Sequence, residues 1–186
     1  GFKNFEFADA VSAGDMIGTT EVEEGKEKAV QLKLDESARV FIPIHKGQRG
    51  FMSDQQYREF FWPSLRRVIM ALIDEGFTPV VETQGIYTDR LEIIRYVPQG
   101  KVIYMIEEDI FEAKKVLGDT ACVVGGPPAS MMEFGSPEEV KEYCRKLIDV
   151  VGKDGGFIMS TQIPLMSVKP ENLMAIKAAI SEYGVY

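Results

Sequence analysis

Cysteine and histidine are scarce in this chain of 186 residues, which contains two cysteines and one histidine. Cys122 and Cys144 are far apart in the sequence and lie in apolar surroundings, ACVV and EYCRKLI. This pattern favours buried free thiols over a disulfide framework or a metal site of the CxxC type. We therefore expect a protein of a reducing compartment, the cytoplasm.

The chain also has neither an excess of basic residues nor a long apolar run. The chain has 21 basic and 29 acidic residues, and its net charge is −8. A nucleic-acid partner would require a cationic surface, and a membrane span would require about 20 predominantly apolar residues in a row. No charged segment followed by an apolar one indicates an export signal. We expect one domain with a single core and neither nucleic acid nor membrane as a partner.

Short apolar runs alternate with longer amphipathic runs from residue 40 onward. Continuous apolar runs predict buried strands, and amphipathic runs with capping signals predict helices. The predicted strands are 40–44, 79–83, 101–106, 121–124 and 156–160, and the predicted helices are 53–76, 88–97, 109–118, 136–152 and 169–184. Trp62-Pro63 predicts a kink in the first helix, or a short entry helix that ends before Pro63. Five such units predict an α/β fold with a parallel sheet.

Polar or glycine-rich residues follow each predicted strand: HKGQRG, ETQGIY, EED, GGPPAS and STQIP. None of these junctions contains the GxGxxG or GxxxxGK[ST] pattern that binds nucleotide phosphates. Functional groups at the carboxyl end of every strand are typical of a barrel mouth, where the site draws on many strand ends. The sequence therefore favours part of a (β/α) barrel over a doubly wound sheet.

Three long segments carry a family resemblance: GFMSDQQYREFFWPSLRRVIMALIDEGFTPV (50–80), the stretch from KVIYMIEEDIFEAKK to GGFIMS (101–160), and KPENLMAIKAAISEYG (169–184). They resemble the C-terminal half of the uroporphyrinogen decarboxylase superfamily over roughly residues 38–184. The resemblance implies a TIM-type barrel. The superfamily includes the decarboxylase of tetrapyrrole synthesis and corrinoid-dependent methyltransferases that act on methylated coenzyme M, methylamine, methanol or aryl ethers.

The resemblance divides the chain into an irregular or helical segment, 1–37, and a half-barrel, 38–186. Five predicted strands do not close a barrel that this fold builds from eight. A second copy completes the sheet, or the chain is a fragment or a shortened relative with an altered N-terminal cover. We expect a homodimer or a larger assembly, because an open parallel edge invites pairing.

The resemblance also bears on metal chemistry. Zinc-dependent methyltransferases of the superfamily carry His-x-Cys where this chain has Glu82 and Gln84, and a further Cys where it has Thr161 or Gln162. Zinc in those enzymes activates a thiol, which thiolate and imidazole ligands suit. Because Glu, Gln and Thr do not reproduce that set, we expect no zinc site, although Glu82 could bind a harder ion weakly.

Two residues are candidates for catalysis. Glu82 is a general base or a hydrogen-bond partner of a cationic ring such as a pterin, or it pairs with Arg90 at the mouth. His45 is a proton shuttle or a structural residue at a strand end. Further candidates, for substrate binding, are Gln84, Tyr87, Arg90, Glu107, Gly125, Gly126, Thr161 and Gln162. The alternatives are a loop-capping amide for Gln84 and a plain tight turn for Gly125-Gly126.

Three functions follow from the resemblance. The first is a zinc-independent methyltransferase that moves a methyl group between a corrinoid protein and a small-molecule acceptor such as tetrahydrofolate. The second is a divergent uroporphyrinogen decarboxylase. The resemblance implies that a decarboxylase site would have an N-terminal arginine-rich segment and a histidine after the last strand. The cationic residues at the strand ends of this chain are chiefly Lys46, Arg49 and Arg90. The third is a non-catalytic binding or assembly subunit.

Overall fold

A parallel sheet of five strands is the framework of the fold. The computed structural model describes residues 38–161 and 167–184. Its strands are β1 (Arg39–Pro43), β2 (Thr78–Thr83), β3 (Ile103–Ile106), β4 (Cys122–Gly125) and β5 (Phe157–Met159). All five predicted strands are present, and their ends lie within two residues of the predicted ones.

The order of the strands distinguishes the two folds that the alternation of strands and helices allows. Every neighbouring pair is parallel, and the order is β1-β2-β3-β4-β5. A doubly wound sheet reverses its order at a switch point, whereas the wall of a barrel continues in one direction. The described part of the chain is therefore a partial, TIM-barrel-like α/β fold with an open sheet.

Helices connect the strands by crossovers. They are α1 (Asp54–Gln56), α2 (Trp62–Asp74), α3 (Leu91–Ile94), α4 (Ile110–Leu117), α5 (Ala129–Phe134), α6 (Pro137–Val150) and α7 (Pro170–Tyr183). Two of these helices begin with a side-chain cap: Ser53 Oγ accepts a hydrogen bond from the Gln56 N–H at 3.2 Å, and Asp109 Oδ1 accepts one from the Phe111 N–H at 3.0 Å. These bonds satisfy amides that have no partner inside a helix.

The helical run around Trp62-Pro63 is interrupted as predicted. A π-helical segment, Tyr57–Phe61, lies between α1 and α2, and Pro63 is in the first turn of α2. Proline offers no N–H to the carbonyl one turn earlier, so one helical hydrogen bond is missing at this point. Single π-helical turns of this kind occur inside α-helices. The segment also buries Tyr57 completely.

Two further differences from the predicted helices concern the loops after β2 and β4. The predicted helix 88–97 is shorter, a 3-10 turn over Thr88–Arg90 followed by α3. Helix α5 was not predicted, because GGPPAS indicates a loop. Residues 1–37 and Gln162, for which the sequence suggests a cover segment and a site residue, lie outside the described residues.

The helices pack against one face of the sheet and form the main core there. Laterally paired residues of adjacent strands point to the same face. On the helix-packed face the central row is Ile42, Val81, Tyr104, Val123 and Phe157. Packing this row against α2 and α4 removes apolar surface from water, which favours folding.

The opposite face, called the inner face below, carries the neighbouring row. Its members are Pro43, Glu82, Met105, Val124 and Ile158. Glu82 is the only charged residue among them. Within residues 38–161 and 167–184, no helix combines the length and the apolar character that crossing a membrane needs.

Candidate active site

A small pocket lies at the carboxyl ends of β2 to β5. It includes four of the predicted site residues, which are Glu82, Glu107, Gly125 and Thr161. The remaining lining residues are Met105, Ile106, Val124 and Ser160. Its volume of about 20 Å³ accommodates one water molecule. The strand register therefore brings residues that are far apart in the sequence to one place.

Glu82 is the buried charge of this pocket. In the inner-face row it lies between Pro43 and Met105, and the residue is 8% exposed. Within the described residues, the carboxylate makes neither a hydrogen bond nor an ion pair. Arg90, the alternative partner suggested by the sequence, is paired with Asp54 instead, with 3.8 Å between Nε and Oδ1.

The two acids after β3 hold the loop that follows β2. Glu107 Oε2 accepts a hydrogen bond from the Gly85 N–H at 2.9 Å. Glu108 Oε2 accepts hydrogen bonds from the N–H groups of Tyr87 and Thr88, both at 2.9 Å. Glu108 was missed by sequence reasoning. Its position just after β3 could have indicated this role, because an acid there lies beside the loop that follows the neighbouring strand.

Gln84 lies between Glu82 and the turn that Glu107 holds. It is half-buried, and it does not line the pocket described above. The next residue, Gly85, has a φ of 83°, a left-handed conformation that glycine adopts without strain. Gln48 of the preceding loop packs on Gly85, since a Cβ there would lie 2.3 Å from Gln48 Oε1. Gln48 is a second residue at the mouth that sequence reasoning missed.

Tyr87 and Arg90 are inside the protein and do not line this pocket. Tyr87 is 2% exposed and Arg90 is fully buried. The Tyr87 hydroxyl donates a hydrogen bond to the Ile44 carbonyl at 2.5 Å. Burial raises the pKa of Tyr57 and Tyr87, and nearby Arg90 opposes this only in part. Both phenols therefore stay protonated, which Tyr87 needs in order to donate.

His45 and Gly126 also lie apart from the pocket. His45 is exposed on a 3-10 turn, His45–Gly47, directly after β1. Gly126 is buried against β5, because a Cβ there would lie 1.7 Å from the Ser160 carbonyl oxygen. Its small size therefore serves the packing of two strand ends. Ser160, which closes that contact, lines the pocket and was not predicted.

The residues present do not match the zinc site of the methyltransferases that the chain resembles. Glu82 shares a pocket with Thr161, one of the two residues that the resemblance places at the third ligand position. A carboxylate and a hydroxyl nevertheless lack the soft donors that zinc uses to activate thiols. In the described part of the chain, no three His, Cys, Asp or Glu residues are grouped so as to hold a metal ion.

Comparison with known proteins identifies the family. The family model described as Uroporphyrinogen decarboxylase (URO-D) matches residues 35–183. The chain belongs to this family. Among solved structures, a methyltransferase from Methanosarcina mazei is similar with a TM-score of 0.63 and 19% sequence identity. None of the curated proteins compared with the chain matches it.

The similarity to the Methanosarcina mazei methyltransferase covers 80% of this chain and 43% of that one. At this level of identity it establishes the shared barrel fold. The uroporphyrinogen decarboxylase family membership and the fold agree with the resemblance seen in the sequence. The chain spans less than half the length of that methyltransferase.

Proposed function

We propose that this protein is a zinc-independent methyltransferase of the uroporphyrinogen decarboxylase family. It moves a methyl group between a corrinoid carried by a partner protein and a nitrogen acceptor such as tetrahydrofolate. The observation that supports this proposal is Glu82, a buried carboxylate without a partner among the described residues. It occupies the position where zinc-dependent relatives carry a metal ligand.

The surroundings of Glu82 favour a ligand with an N–H group. A carboxylate between Pro43 and Met105 loses solvation, and a hydrogen bond from a bound ligand would offset that loss. A pterin ring offers such donors and is flat enough to lie along a sheet face. Thr161, on the other side of the pocket, offers a hydroxyl that donates or accepts. Buried, unpaired carboxylates in clefts are frequent functional groups.

Glu82 has a specific task in this reaction. When the acceptor nitrogen takes the methyl group, the nitrogen–carbon bond forms as the cobalt–carbon bond breaks, the electron pair of that bond stays with cobalt, and the nitrogen releases a proton. Glu82 accepts that proton, and it returns it when the reaction runs in reverse. Glu107 holds the turn after the strand that carries Glu82, through the hydrogen bond from the Gly85 N–H, and Gln84 orients the acceptor or Glu82.

The test uses methylcobalamin and tetrahydrofolate under anaerobic conditions. We expect the cobalamin spectrum to show loss of the cobalt–carbon bond together with formation of methyltetrahydrofolate. Glu82→Gln keeps the shape of the side chain but cannot accept a proton, so the rate falls by about 100-fold or more. Circular dichroism checks that the variant is folded.

Glu112→Gln is the matched control. Glu112 is an acid on α4 that pairs with Lys115 at 2.9 Å, outside the pocket, and its replacement leaves the rate unchanged. A cobalamin spectrum that does not change at high protein concentration contradicts the proposal, and so does a Glu82→Gln variant as active as the wild type. Formation of coproporphyrinogen from uroporphyrinogen would instead support the decarboxylase alternative.

A further inference from the structure

We propose that Arg90 is a positioning residue that, with Tyr87, clamps both ends of the loop between β1 and α1. This loop, residues 44–53, carries His45 and forms one side of the barrel mouth. The inference goes beyond methyl transfer, since it concerns the shape of the mouth whatever the substrate. The contacts of Arg90 and those of Tyr87 support it.

Arg90 holds the far end of the loop. Its Nη2 donates a hydrogen bond to the Met52 carbonyl at 2.6 Å. The guanidinium stacks on the ring of Tyr57, 4.3 Å from the ring centroid, and Tyr57 lies in the π-helical segment that follows α1. A planar guanidinium suits such a stacked position better than a lysine does. Arg90 therefore connects the loop and the helix after it to the β2–α3 segment.

Tyr87 holds the near end of the same loop. Its hydroxyl donates to the carbonyl of Ile44, the residue directly after β1. Gly47 makes this possible, because a Cβ at that position would lie 2.0 Å from Tyr87 Oη. The Tyr87 ring is also 6.0 Å from the Arg90 guanidinium. The two side chains therefore form one buried unit that contacts the loop at Ile44 and Met52.

The energetics of Arg90 indicate a role in geometry. Within the described residues, Nε and Nη1 have no hydrogen-bond partner, and the nearest carboxylate oxygen, Asp54 Oδ1, is 3.8 Å from Nε. A fully buried cation with so few partners is a poor source of stability compared with an apolar side chain. What Arg90 supplies and an apolar residue lacks is a directed bond to the loop.

An exposed pair between the same two segments provides a natural comparison. Arg49 Nη1 lies 3.0 Å from Asp89 Oδ2, and both side chains are largely exposed to solvent. Exposed ion pairs contribute little to stability. Arg49 and Arg90 therefore link the same loop to the same segment, one at the surface and one in the interior.

The test compares Arg90→Gln and Tyr87→Phe with Arg49→Gln. Amide hydrogen exchange is measured for residues 45–52, with Val123 of β4 as an internal reference. His45 is the only histidine in the chain, so its ring signals in the NMR spectrum report the loop without ambiguity. We expect exchange in the loop to be about 10-fold faster in Arg90→Gln, with Val123 unchanged and the His45 signals shifted. Tyr87→Phe shows a smaller change in the same direction, and Arg49→Gln changes exchange by less than about 2-fold.

Two results would overturn the proposal. One is unchanged loop exchange and unchanged His45 signals in both Arg90→Gln and Tyr87→Phe. The other is an effect of Arg49→Gln as large as that of Arg90→Gln, which would make the interior position unimportant. If Arg90→Gln does not fold, Tyr87→Phe decides alone, because it removes one hydroxyl and keeps the ring.

Discussion

Individual residues at the barrel mouth have roles that their lateral neighbours decide. Glu107 and Glu108 are adjacent acids, yet both accept hydrogen bonds from the loop after β2, whereas Glu82 lies among apolar residues. The glycines after β4 show the same dependence. Gly125 lines the pocket, and Gly126 contacts the Ser160 carbonyl. Residue type alone does not distinguish these roles, because each role depends on which groups of the adjacent strand and its loop lie beside the residue.

A residue-scale prediction concerns Gly126→Ala. The new Cβ would lie 1.7 Å from a backbone oxygen of Ser160, so the ends of β4 and β5 must move apart. We expect a loss of stability of about 1–3 kcal/mol, typical of overpacking, in denaturant unfolding. Gly50→Ala is the control, because no atom lies within 4 Å of its Cβ position. Equal stability of the two variants would show that the contact is not restrictive.

At the scale of elements, the unpredicted helix α5 is held in place by a distant helix. Asn172 of α7 is fully buried, and its Nδ2 donates to the carbonyls of Met132 at 2.9 Å and Gly135 at 3.1 Å. Lys169 Nζ donates to the Gly135 carbonyl at 3.0 Å. These bonds satisfy carbonyls that lack partners at the end of a helix.

An element-scale prediction follows for Asn172→Ala. The substitution removes the Asn172 donor from the Met132 and Gly135 carbonyls, which keep only their bonds from Lys169, and we expect it to destabilise the protein by about 1–3 kcal/mol. Amide exchange in residues 129–135 speeds up more than in β2 or β3. Lys177→Ala, at an exposed position of the same helix, has a much smaller effect. Uniform acceleration over all elements would instead indicate that Asn172 supports the whole fold and not α5 in particular.

At the scale of the whole molecule, the described sheet has two edges and an incompletely covered inner face. β1 and β5 each pair with one neighbour among the described strands. Phe41, Val80, Ile103 and Met105 of the inner face are half-buried, and Ile158 is 44% exposed. Apolar surface of this kind favours association, and parallel strand edges offer unpaired backbone groups.

We predict, at this scale, that the 186-residue chain forms a homo-oligomer in solution. Light scattering then gives a multiple of the chain mass of 20.8 kDa. Ile158→Asp places a charge on the inner face and shifts the mass toward that of the monomer. Val150→Asp is the control, since Val150 is a comparably exposed apolar residue, 55% exposed, on the outer helix α6. A wild-type chain of monomer mass would contradict the prediction.

The repeat of strand and helix, the strand positions and several helix caps were predictable from the sequence because they depend on local patterns. Continuous apolar runs indicate parallel strands, and Ser53, Asp109 and Pro170 are typical start signals for helices. The resemblance added the barrel and the family. Glu82 was also identifiable, since an acid near the end of an apolar strand is conspicuous.

Only the tertiary structure decided which polar residues meet. Glu82, Glu107 and Thr161 share a pocket because parallel register brings the ends of their strands together. Arg90 and Tyr87 have the polar composition of a site, but the structure buries them as a clamp on the β1–α1 loop. The bond from Arg90 to Met52 that fixes this loop, and the bond from Asn172 to Met132 that fixes α5, each join residues about 40 positions apart. Local patterns contain no information on such pairings, because they result from how the crossovers pack.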